Sequence, residues 1–101
     1  MAKARISLSD IFRELCPNVY FQPPGGHKLK YPCIIYSLNG LSNRSADDLS
    51  YYIENDEYSV TYITRDPDDE VIRKIARLPM CRMSRPFTSD NLHHYPYVLY
   101  Y

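Results

Sequence analysis

Between two runs of strand-forming residues lies the segment DPDDEVIRKIARLP, which carries both a helix start and a helix stop. Asp66 suits the N-cap, Pro67 the first helical position and Asp69 the third. Val71, Ile72, Ile75, Ala76 and Leu78 recur at helical spacing and give one buried stripe. Asp69–Arg73 and Glu70–Lys74 are acid-first i,i+4 pairs, and the order of acids and bases along the segment complements the helix dipole. Pro79 stops it. A helix over 66–78, wedged between strand patterns, limits the chain to a small α+β fold.

The strand patterns on either side support that fold. Residues 51–65 read as a long strand, interrupted by the acidic stretch Glu54-Asn55-Asp56-Glu57, which predicts a bulge or the point where pairing begins. Tyr58, Val60 and Tyr62 share one face and Ile63 lies on the other, so both sides carry apolar groups. Residues 80–87 read as a short strand, Ser89-Asp90-Asn91 as a turn, and 92–101 as the closing strand. In that last strand Tyr95, Tyr97, Leu99 and Tyr101 alternate with Val98 and Tyr100.

The first half is less regular. Ser7–Leu15 has the apolar spacing of a short helix, with Leu8, Ile11, Phe12 and Leu15 on one face. Ser7 with Asp10 resembles a capping box, and Pro17 ends the helix. Residues 18–22 and 31–38 read as two strands of a hairpin, joined through the Pro23-Pro24-Gly25-Gly26 cluster. Residues 39–50, NGLSNRSADDLS, form a polar loop of a length that often has a function. The expected architecture is one domain over 1–101: an antiparallel or mixed, mostly antiparallel sheet of about five strands, with two helices packed on one face. Two short helices cannot cover both faces, which predicts an exposed aromatic face suited to a partner.

Composition narrows the function. A chain of 101 residues holds a single modest core. Its 11 Tyr with no Trp suit both half-buried sheet faces and interfaces. Twelve basic and twelve acidic residues balance, which argues against tight binding to a phosphate backbone, although Lys28 with Lys30 and Arg82 with Arg85 form local pairs. Cys16, Cys33 and Cys81 lack any zinc-ligand spacing and read as small buried hydrophobes in a reducing cytoplasm. The start MAKARISLSD has no apolar core of a secretory signal, and no run is long enough to span a membrane.

The acids Asp66, Asp68, Asp69 and Glu70 with His93-His94 invite comparison with a metal-dependent hydrolase. Helix capping accounts for the acids, however, and adjacent histidines on a strand face opposite ways. There is no nucleophile elbow, EF-hand spacing or glycine-rich phosphate loop, the glycines being Gly25, Gly26 and Gly40. No enzyme activity, metal or cofactor is expected.

The stretches TYITRDPDD, LPMCRMSRPFTSDNL and YPYVLYY, together with the upstream PNVYFQPPGGHKLKYPCIIYSLNG, resemble the tail terminator (tail completion) proteins of long-tailed bacteriophages. The likeness runs from about Pro17 to the end and its motifs are structural. It implies a ring, commonly hexameric, that caps the tail tube, stops tube polymerisation and joins tail to head without making or breaking a bond. It also implies partners: further copies of the chain, the tail tube protein and the head-tail connector, with genomic DNA passing through unspecifically. The location implied is the virion's head-tail junction, reached from the host cytoplasm. Asn43, Arg44, Asp47, Asp48, Tyr51, Tyr52, Tyr97 and Tyr100 are the expected contact residues. A head-side connector or stopper of the same neck is the nearest alternative. A small hydrolase using Asp66, Asp68 and His93 is the alternative of a different kind.

Overall fold

The computed structural model describes residues 4–23, 25, 28–41 and 55–101. Their elements run α1 (Arg5–Leu15), β1 (Val19–Phe21), β2 (Cys33–Gly40), β3 (Glu57–Thr64), α2 (Glu70–Ala76), β4 (Cys81–Met83), β5 (Phe87–Ser89) and β6 (Leu92–Tyr100). The strands form one open sheet in the order β1-β2-β3-β6-β4, with β5 also pairing β6. All pairings but one are antiparallel. This is the expected α+β architecture, with both helices on one face.

The exception corrects the expected hairpin: β1 lies parallel to β2, with Val19 opposite Ile34 and Phe21 opposite Tyr36. Of the described residues between the two strands, Leu29 and Tyr31 are partly buried against the second face, beside Cys33, Ile63 and Leu92. Strand direction could not be read from alternation, because either direction puts Val19 and Phe21 on the same side. β1 ends where Gln22 turns to a positive φ of 44°, and the Gln22 side chain then accepts from the Leu38 amide. Strand β2 continues through Asn39 and Gly40, residues expected to open the loop. Its register shifts between Leu38 and Gly40, opposite Glu57, where β3 begins. The extra residue is Asn39 in β2, so the acidic interruption marks the start of pairing and the bulge lies in the facing strand.

The expected strand over 80–87 is broken. β4 pairs with Tyr97–Leu99 and β5 with Leu92–His94 on the same edge of β6. Between them, Met83 to Phe87 advances four residues while the partner strand advances three. One extra residue is accommodated around Ser84-Arg85-Pro86, as in a β-bulge. Asp90 and Asn91 both have positive φ, 53° and 62°, which closes the β5–β6 hairpin with a two-residue turn of type I′ character.

Both helix caps differ from the sequence reading. α1 starts at Arg5 after Ala4, with no side-chain cap. Ser7 lies inside its first turn, where its hydroxyl donates to the Ala4 carbonyl and shares a hydrogen bond with the Tyr101 hydroxyl. α2 starts at Glu70, with Asp69 rather than Asp66 as N-cap, its carboxylate accepting from the Val71 amide at 3.0 Å. Asp66 instead builds the preceding turn by accepting from the Asp68 amide. The Tyr62 hydroxyl donates to Asp69 from the neighbouring strand and selects it as the cap. Among the described residues, neither Asp69–Arg73 nor Glu70–Lys74 forms an ion pair.

The core lies between the helices and the first face of the sheet. Leu8, Phe12, Cys16, Ile72 and Ile75 from the helices meet Ile34, Tyr36, Tyr58, Val60, Tyr62, Tyr97 and Leu99. The tyrosines are more than apolar filler. Tyr97 donates to the Ile72 carbonyl at 2.8 Å, Tyr62 to Asp69, and Tyr36 bonds Ser9 and accepts from Arg5. Each ring buries its body in the core and fastens its tip to the helix layer.

Candidate interaction surface

The second face of the sheet has two unlike ends. At one end Cys33, Ile63 and Leu92 are buried under Leu29 and Tyr31. At the other, Ser37, Ser59, Thr61, Pro96, Val98 and Tyr100 are each half-buried. β3 and β6 place these residues by alternation: when Tyr58, Val60 and Tyr62 point to the helices, Ser59 and Thr61 must point away. Cross-strand pairs Ser59↔Val98 and Thr61↔Pro96 put a hydroxyl beside each apolar group. Glu57 is fixed at the rim, accepting from Tyr100 at 3.1 Å and from Asn39 at 3.2 Å. Asn39 also donates to Ser59.

This open surface is amphipathic, which corrects the expectation of an aromatic face. Tyr36, Tyr58, Tyr62, Tyr95, Tyr97 and Tyr101 all belong to the helix-covered cluster. Tyr97, expected as a contact residue, is 1% exposed and bonded to α2, so it is a core residue of the folded chain. Tyr100 does lie on the open surface. Asn43, Arg44, Asp47, Asp48, Tyr51 and Tyr52 fall outside the described residues, as does most of the expected loop 39–50. Val98 and Pro96 were not singled out as contact positions, although their place opposite Tyr97 in the alternation was the signal available.

The residues with chemical potential are committed elsewhere. Asp69 accepts from Tyr62, Val71 and, at 3.5 Å, Thr64, which consumes its carboxylate in the strand-to-helix junction. His93 and His94 face opposite ways. His93 Nδ1 is 3.4 Å from the Thr88 hydroxyl, whereas His94 stacks on Phe87 with ring centroids 4.6 Å apart. Among the described residues no three His, Cys, Asp or Glu side chains come together as metal ligands, and Asp66, Asp68 and His93 form no such group. Burial pushes the Cys33 thiol up to about 12 and Cys81 to about 11, and Cys16 is also raised by burial. Thiols held neutral in this way are poor nucleophiles and poor metal ligands.

A cleft of about 170 Å³ opens where α1 meets the end of β6. Leu8, Ile11, Leu78, Met80, Leu99 and Tyr100 contribute to its wall. Its wall is mainly apolar, with Asn55, Tyr100 and Tyr101 as the polar residues that line it. No helix among the described residues is long and apolar enough to cross a membrane. No family model, curated protein or solved structure matches the chain, so the assignment of function rests on its own residues.

Proposed function

We propose that this chain is a structural assembly protein of the phage tail terminator type, acting as a ring subunit that ends tail-tube growth and meets the head connector. The observation that carries the reading is the half-covered sheet. Its second face is sealed at one end by Leu29 and Tyr31 and, among the described residues, has no such cover at the other, where half-buried Val98, Pro96 and Tyr100 alternate with serine and threonine. That mixture of apolar and hydrogen-bonding groups matches a protein–protein interface better than a core or a freely hydrated surface. The stretches that resemble tail terminators build β3, the α2 junction, β4, β5 and β6, the frame that holds this surface.

The mechanism is steric. A subunit whose sheet and helices form a rigid block presents one surface to the last tube ring and another to the connector, and further tube subunits have nowhere to add. No residue needs to ionise or react for this. The test is to image virion lysates made without the protein: tails longer than normal are expected. Tails of normal length that fail to join heads would instead favour the head-side connector. Light scattering of the purified protein, followed by negative-stain imaging with tail tubes, should show rings on tube ends. A monomer that leaves tube ends bare would overturn the proposal.

A further inference from the structure

Strand β1 ends the sheet, and its hydrogen bonds fix which of its residues face β2. The Ile34 amide donates to the Asn18 carbonyl at 2.8 Å, and the Gln22 amide donates to the Tyr36 carbonyl at 2.9 Å. In a parallel ladder this alternation sets Asn18, Tyr20 and Gln22 toward β2. The amides and carbonyls of Val19 and Phe21 therefore point out of the sheet, and among the described residues nothing pairs with them. Pro17 and Pro23 flank the pair and offer no amide of their own. The edge is thus a short template for one more strand.

Charge decides what can add there. No residue of β1 is charged, but a cation stands on each side of it. On the helix side the Arg5 guanidinium lies 4.3 Å from the centre of the Phe21 ring. On the other side the exposed Lys30 is held by its amide, which donates to the Tyr20 hydroxyl at 3.2 Å. Neither cation forms an ion pair among the described residues. A second copy pairing β1 with β1 would set Arg5 against Arg5 and Lys30 against Lys30. Pairing β1 with the opposite edge of another copy would bring Lys30 to Arg82, exposed on β4, and that edge is broken by the extra residue and Pro86. Like charges across a contact disfavour both arrangements.

We propose that the outer edge of β1 receives an extended acidic segment of another protein, added as a further strand with carboxylates toward Arg5 on one side and Lys30 on the other. Main-chain bonds to Val19 and Phe21 supply the docking, and charge selects the segment. Neighbouring residues of a strand face opposite ways, so two adjacent acids reach the two cations. The contact goes beyond the ring reading and does not depend on it.

The probe is a capped peptide, Thr-Val-Glu-Glu-Val-Thr, added to the intact chain, and the readout is amide hydrogen exchange followed by NMR. At saturating peptide, exchange at Val19 and Phe21 should slow at least about tenfold, whereas Tyr20, whose amide already faces β2, should not change. The same peptide with lysines in place of the glutamates should give no protection. Lys30→Glu should weaken binding about threefold, the scale of an exposed ion pair. Val19→Pro removes an outward amide without touching the β2 ladder, so it should lose peptide binding while melting as the parent does. Unchanged exchange at Val19 and Phe21, or equal protection by the lysine peptide, overturns the proposal. Protection that grows with the concentration of the chain alone assigns the edge to a second copy and overturns it too. So does protection by a DNA duplex where the acidic peptide gives none.

Discussion

Strand β6 presents two faces with opposite fates. Tyr95, Tyr97, Leu99 and Tyr101 point to the helices and join the core, while His94, Pro96, Val98 and Tyr100 point to the other side and are only half-buried. The two sets are similarly apolar, so hydrophobicity does not separate them. What separates them is the polar tip. On the helix side the Tyr97 and Tyr101 hydroxyls reach the Ile72 carbonyl and Ser7, so burial leaves no polar group without a partner. On the open side the hydroxyls of Ser59 and Thr61 sit between the apolar groups, and Tyr100 bonds sideways to Glu57. A face built this way tolerates water and can also accept a partner.

The sharpest test of that division is at Tyr97. Tyr97→Ala should cost about 3–5 kcal/mol by emptying a packed site and freeing the Ile72 carbonyl. Tyr97→Phe, which keeps the ring, should cost about 1 kcal/mol. Urea denaturation measures both. A loss below about 1 kcal/mol for the alanine variant would mean that the helix face is not the core.

An intermediate effect comes from alkaline pH. Burial raises Cys33 to about 12 and Cys81 to about 11, while an unfolded thiol ionises near 9.0. A folded pKa above the unfolded value means that the neutral thiols stabilise the fold fully below about pH 9, and that this contribution is lost as pH rises through 11 and 12. Melting temperature should fall across that window, and less steeply in Cys33→Ala if that variant folds. At pH 8, Cys33 should resist alkylation until denaturant is added. Rapid labelling of Cys33 in the native protein would show that Leu29 and Tyr31 do not seal their end of the second face.

The smallest effect on stability is expected at Val98. Val98→Ser should change stability by less than about 1 kcal/mol, because the side chain is already partly hydrated. Its effect should appear in ring formation on tube ends, scored by negative stain. A variant that loses stability as Tyr97→Ala does would erase the difference between the faces.

The contrast also explains which sequence readings survived. Alternation in β3 and β6 was legible because the side-chain period of a strand is local, and it separated Tyr58, Val60 and Tyr62 from Ile63 correctly. Which face the helices would occupy was not local. The tyrosines were compatible with core or interface, and their hydrogen bonds to α1 and α2, which decide the matter, join residues 25 or more positions apart in most cases. The candidate surface suffered accordingly: Tyr100 lies on it, Tyr97 does not, and Val98 and Pro96 emerge from the same alternation once the helix side is known.

By itself the sequence determined the α+β class, two helices with their apolar stripes, the Asp90-Asn91 turn and the long closing strand. Each of these follows from a repeat or a turn signal a few residues long. The tertiary structure alone decided that β1 runs parallel to β2, that Asp69 rather than Asp66 caps α2, and that Tyr97 belongs to the core. Each of those depends on a partner outside its own segment: Leu29 and Tyr31 under the sheet, the Tyr62 hydroxyl, and the Ile72 carbonyl. Local signals set what each segment can be, and long-range burial and hydrogen bonding choose among the arrangements that remain.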